Sequence, residues 1–138
     1  RHLSGVRKGD LSALAIADAS VDLLICNHVL EHVPDVALAL SEIRRVLAPG
    51  GIALLQVPLA LNLPASIELG MASSPAERIM RTGQDDHVRL FNADDYVQAL
   101  QAAGFTVERY DAFADDAETA TAWRLDPFER LHICHRGD

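Results

Sequence analysis

The sequence predicts an α/β fold built on an open, mostly parallel sheet, and three observations carry that expectation. Two apolar runs, Val21–Asn27 and Ile52–Val57, have the β-prone and barely alternating composition of buried parallel strands. Between them apolar residues recur at helical spacing, so strand, helix and strand fit into residues 21 to 57, the size of a right-handed crossover. Both runs lead into segments rich in histidine and carboxylates, at the strand ends where open α/β sheets bind ligands.

Each element has its own local signal. The run Val21–Asn27 lacks alternation, which predicts a central strand covered on both faces. From Asp35 the stripe Val36, Leu40, Ile43 and Leu47, widened by Ala39 and Val46, predicts a helix with Arg44 and Arg45 at its C-terminal end. Ala48-Pro49-Gly50-Gly51 reads as the turn that stops it before the second strand. Residues 58–91 form a long irregular stretch containing Ser74-Pro75-Ala76-Glu77, a capping box with proline at the first helical position, ahead of Ile79 and Met80. Asn92 is a good N-cap, Asp94 and Asp95 load the first turn, and Tyr96, Val97, Leu100 and Ala103 supply a stripe that Gly104 ends. Phe105–Tyr110 alternates as a half-exposed strand, residues 111–128 read as an acidic loop, and Leu131–His135 as a closing strand.

Composition narrows the chemistry. One domain fits in 138 residues, and 49% apolar residues with a mean hydropathy of +0.08 suffice for a core. Twelve basic against twenty acidic residues give a net charge of −8, so neither a nucleic acid nor an anionic membrane is expected as a partner. Lys8 is the only lysine, which leaves no Walker-A loop, no Schiff-base lysine beyond it and no Tyr/Lys dehydrogenase pair. Cys26 and Cys134 are far apart and read as buried thiols of a reducing compartment; with no apolar run of membrane-spanning length and no signal peptide, a cytoplasmic protein is expected. The chain begins at Arg1 and reads as a piece of something longer.

The segments leaving the strand tops hold the candidate site. Asn27-His28-Val29-Leu30-Glu31-His32-Val33-Pro34-Asp35 follows the first strand, and Asp85-Asp86-His87-Val88-Arg89 belongs to the second segment. His28, His32 and His87 are candidate proton acceptors, ranked equally, and His87 with Arg89 are candidate substrate contacts placed by topology. Glu31 and His32 also read as residues that orient the following loop. No metal site is expected: on a strand, His132 and Cys134 share one face and His135 takes the other, leaving too few convergent ligands.

Four stretches taken together resemble the C-terminal two-thirds of a class I S-adenosylmethionine-dependent methyltransferase of type 11. They are Gly9-Asp10-Leu11 with Ala17-Asp18-Ala19-Ser20-Val21-Asp22, then Cys26–Val33, then Arg45–Gly51, and last His87-Val88-Arg89-Leu90-Phe91 leading to Ala103-Gly104-Phe105. The resemblance implies a partial Rossmann-like sheet with a C-terminal antiparallel strand, as a single partial domain over 1–138 that starts near the third strand of the family fold, with 58–91 as a substrate-side insertion. It implies S-adenosylmethionine as cofactor, with Asp10 and Leu11 at the adenine and Asn27, His28 and Val29 beside the methionine portion. Asp10 has a plainer reading as a turn residue after glycine. The family's glycine-rich loop has no counterpart, because no Gly-x-Gly occurs. The expected function is methyl transfer to a small-molecule acceptor, by a fragment incomplete for catalysis; the alternative is a non-catalytic or partner-completed binding module. Without its first-strand partner, strand 21–27 is expected to expose an apolar edge, favouring a homodimer, and Val6–Asp10 to have nothing to pair with.

Overall fold

Residues 5–127 and 129–137 are described by a computed structural model. In chain order the elements are β1 (Val21–Asn27), α1 (Val36–Val46), β2 (Leu47–Gln56), β3 (Ile67–Glu68), α2 (Pro75–Thr82), β4 (Arg89–Leu90), α3 (Ala93–Ala102), β5 (Phe105–Tyr110), α4 (Ala112–Asp115), α5 (Ala117–Ala122) and β6 (Leu131–Arg136). The main sheet has the order β1-β2-β6-β5, and β3 and β4 form a small antiparallel pair. β1 and β2 are parallel, while β6 is antiparallel to both β2 and β5. Three strands therefore point one way and β6 alone opposes them, the mostly parallel α/β sheet that the sequence predicts.

The helix ends form where local chemistry places them. Asp35 accepts from the Leu38 N–H, Ser74 from the Glu77 N–H, and Asn92 from the Asp94 and Asp95 N–H groups, each satisfying donors that the first helical turn leaves open. Helices α1 and α3 pack on the same sheet face, where Leu40, Ile43, Tyr96 and Leu100 meet Cys26, Ala53, Leu55 and Cys134. Arg45 ties the segment before β1 to α1: it donates to the carbonyls of Leu14 and Ile16, to Asp18 at 2.5 Å and to Glu42, whose carboxylate also accepts the Leu14 N–H. That pairing holds the Glu42 carboxyl below the usual carboxylate range. Val6–Asp10 forms no strand.

Four expectations are corrected. First, although β1 has no neighbour on its outer side among the described residues, as expected of a strand without its first-strand partner, only one of its faces is covered rather than both. Leu24 and Cys26 turn toward the core, whereas Leu23 and Ile25 remain 56% and 61% exposed, because α1 and α3 both lie on the opposite side. Second, Ala48-Pro49-Gly50-Gly51 does not separate helix from strand but lies inside β2. Val21 pairs with Leu47 and Leu23 with Ile52, so Asp22 of β1 stands opposite Ala48, Pro49, Gly50 and Gly51 of β2 and the extra residues bulge out. Third, the expected acidic loop contains α4 and α5, capped by Asp111 and Asp116; its last residue, Phe128, lies outside the described residues. Fourth, β6 closes the sheet from within, between β2 and β5.

The bulge gives Gly51 a steric role. A Cβ there would stand 2.8 Å from the Ala48 carbonyl oxygen and 3.0 Å from that of Val21, both backbone atoms that cannot swing aside. Gly51→Ala is expected to destabilise the fold by about 1–3 kcal/mol, the range for overpacking. Urea unfolding measures it, and a cost near zero would mean that the bulge yields freely.

Candidate active site

The fold brings the two candidate histidine segments into contact. At the top of β1, His28 adopts a left-handed backbone with φ 54° and its N–H donates to the Gln56 carbonyl at 2.9 Å. Histidine enters that region more readily than most residues, and here its half-exposed ring lines a cleft with Val57 and Leu59. The Val88 N–H donates to the Glu31 carbonyl at 3.1 Å and so docks the 85–89 segment onto the loop after β1.

Around that joint, His28, His32 and His87 converge on one carboxylate. Glu31 Oε1 lies 3.7 Å from His28 Nδ1, 3.7 Å from His32 Nε2 and 4.0 Å from His87 Nε2. His32 and His87 meet edge to face with centroids 4.8 Å apart. His32 Nδ1 lies 3.1 Å from the Asp86 carbonyl oxygen, which can only accept, so Nδ1 carries the hydrogen. Glu31, read from the sequence as a loop-orienting residue, is instead the buried centre of this group. Its single sequence signal was its place beside His32, since nothing local shows that a residue near position 87 returns to it.

Arg89 goes elsewhere than a substrate contact. It is buried, and its guanidinium donates to the carbonyls of Leu30, Val33 and Pro34 and to Glu68 at 2.9 Å. Its donors are committed to holding the loop after β1, so the structure gives it a positioning part.

Asn27, His28 and Val29 are exposed at the end of β1. A cleft of about 250 Å³ opens there, bounded by His28, Val57, Leu59, Leu61, Glu129 and Arg130. Leu11 packs half-buried against the core, and exposed Asp10 accepts the Ser12 N–H at 2.9 Å, the turn geometry of its plainer reading. A roomier apolar groove of about 560 Å³ runs between α1 and α3, away from the histidines.

The C-terminal strand behaves as alternation requires. His132 and Cys134 are buried on the core side, and His135 on the other pairs with Glu108 at 3.4 Å. Burial pushes the Cys134 thiol up to about 12, and burial with the nearby Glu31 pushes Cys26 up to about 11, so both stay protonated and act as small apolar groups. Of the six histidines, His2 lies outside the described residues.

A mostly parallel sheet with its polar cleft at the strand tops defines a Rossmann-like α/β domain, and solved structures share it. A chain of the complex between the Haloferax volcanii Trm112 methyltransferase activator and a putative methyltransferase superposes with a TM-score of 0.65 at 20% identity, over 94% of this chain and 60% of that one. The chain belongs to the methyltransferase domain family, whose pattern matches residues 6–110. It is 33% identical over 103 residues to a probable S-adenosylmethionine-dependent methyltransferase of Mycolicibacterium smegmatis, and 31% identical over 117 residues to a trans-aconitate 2-methyltransferase of an Azoarcus species. These matches cover 75% and 85% of this chain but only 35% and 40% of the relatives, so the chain spans little more than a third of their length. Among the described residues no helix is long and apolar enough to cross a membrane.

Proposed function

We propose that this chain is part of an S-adenosylmethionine-dependent methyltransferase that acts on a small-molecule acceptor and needs further residues for catalysis. The observation that carries this reading is the place of the polar cleft, at the tops of parallel strands β1 and β2 and beside an edge that has no neighbour among the described residues.

The residues present fit one flank of such a cofactor. The cleft is lined by apolar Val57, Leu59 and Leu61 and by the carboxylate of Glu129, with the guanidinium of Arg130 paired to Asp111, which leaves room for a ligand carrying positive charge. At about 250 Å³ it falls below the ~300–1,000 Å³ of pockets that enclose a drug-sized ligand, as expected of half a site. When bound, the cofactor supplies an already activated methyl group. The chain's own part is to hold an acceptor in line with that methyl, to exclude water and to take a proton from a hydroxyl or amine. His28 is half-exposed at the cleft and stands nearest to this task; His32 and His87 lie deeper, against Glu31. Asp10 and Leu11 are assigned to the adenine, and Asn27 and Val29 to the methionine portion, by resemblance.

Titration calorimetry of S-adenosylmethionine into this chain, and into a version extended by about 80–100 native upstream residues, the span of two more βα units, tests the reading. Binding by the extended form alone is the expected result. Binding by the short chain would overturn its incompleteness, and no binding by either would overturn the methyltransferase reading. The last outcome would favour a non-catalytic module completed by a partner, which the bare Leu23 and Ile25 and the free β1 edge support. That edge also suits a homodimer.

A further inference from the structure

Glu31 is the one acidic side chain that the fold buries almost fully among the described residues, at 1% exposure, and neither of its carboxylate oxygens has a hydrogen-bond partner. A dry carboxylate without donors is strongly disfavoured unless something positive completes it. Protein groups do not do so here. The three imidazoles that face it stand at 3.7–4.0 Å, beyond hydrogen-bonding range. His87 adds a third buried atom without a partner, Nδ1.

Those spacings suit an ion placed between the groups. Two ligand atoms on a tetrahedral ion with bonds of about 2.1 Å stand roughly 3.4 Å apart, so the Glu31–histidine separations need contractions of a few tenths of an ångström, and the widest pair of the set one of up to about 1.4 Å, within reach of a ring rotation. One ligand atom each from Glu31, His32 and His87 lie within 4.8 Å of one another. His32 is held as metal-bound histidines usually are, with its outer Nδ1–H donated to a carbonyl, that of Asp86, and Nε2 turned inward.

We propose that Glu31, His32 and His87 form a binding site for a divalent first-row transition ion, with Zn²⁺ the natural occupant of this donor set. Two imidazoles and one carboxylate select such an ion over Mg²⁺ or Ca²⁺, which take oxygen ligands. Side chains 31 and 87 close the site from within, while His32 is one-third exposed and His28 half-exposed. Water, an acceptor oxygen or His28 completes the coordination from that open side. Its ligands come from both the 85–89 segment and the loop after β1, which Val88 and Arg89 already hold together.

The test is titration of the metal-free chain with Co²⁺, followed by the visible d–d absorption of the bound ion. Expected are one ion per chain, micromolar or tighter affinity, and displacement by Zn²⁺. Glu31→Gln and His87→Ala should each weaken binding at least tenfold, while His135→Ala, outside the cluster, should leave it unchanged. Absence of bands, or bands that survive in both cluster variants, would overturn the proposal. Far-UV circular dichroism reports whether each variant folds; should Glu31→Gln fail to fold, His32→Ala at the partly exposed ligand takes its place, with the same tenfold loss expected. None of these readouts depends on S-adenosylmethionine, so the outcome is separate from that of the methyltransferase reading.

Discussion

Replacing Arg89 with alanine is expected to remove about 3–5 kcal/mol of stability, from buried carbonyl acceptors left unpaired at about 1–3 kcal/mol each and the packing lost with the side chain. Its guanidinium is the donor for three carbonyls in one turn of chain, those of Leu30, Val33 and Pro34, and no other side chain among the described residues donates to them. Truncation leaves acceptors unpaired beside a void of arginine size. Thermal unfolding would read this as a drop in Tm on the order of 10 °C. Arg89→Lys should recover only part of it, because an ammonium cannot reproduce the planar fork. Glu68→Gln, at a partner that is mostly exposed, should cost no more than about 1 kcal/mol. A stable Arg89→Ala protein that has lost only ligand affinity would return Arg89 to the substrate.

Acid should weaken the fold through His132. Burial, helped by the positive charge of Arg109, lowers its pKa from 6.5 to about 4, and its ring sits edge-on to Tyr96 with centroids 5.0 Å apart. Above pH 6.5 the residue is neutral in both folded and unfolded chains and contributes no pH dependence. As the pH falls below 6.5 the unfolded chain takes up a proton that the folded chain refuses, so stability drops until about pH 4, where the folded form is protonated too. The whole window is worth about 3 kcal/mol. Urea unfolding from pH 7 to 4 should therefore show a steeper loss for the wild type than for His132→Leu. Parallel curves would mean that the ring titrates as freely in the folded chain as in the unfolded one.

What could be read beforehand follows the range of the forces. The three long helices carry caps within four residues of their starts, at Asp35, Ser74 and Asn92, and each is found in place. α4 and α5, with four and six residues, are too short to establish a period. The Ala48–Gly51 turn was legible as a turn, but whether it ends a helix or bulges from a strand depends on pairing with β1. The apolar faces of β1 advertise cover on both sides, and the described chain supplies one. In the site, His28 and His32 announce themselves at a strand end. Glu31 as their common centre, and Arg89 as a buried clamp, appear only once residues more than fifty positions apart are docked.

The position of β6 bears on how the molecule is made. β2 and β5 meet only through Leu131–Arg136, which carries four pairings to the one and six to the other. During synthesis β1, α1 and β2 emerge early and can pair locally, yet the edge of β2 stays unsatisfied until the strand that covers it leaves the ribosome. For that interval Ile52–Leu55 is an open template for a neighbouring nascent chain. Its mate is distant in sequence, which slows closure. Deleting Leu131–Arg136 would thus split the sheet down its middle, parting β5 from β1 and β2.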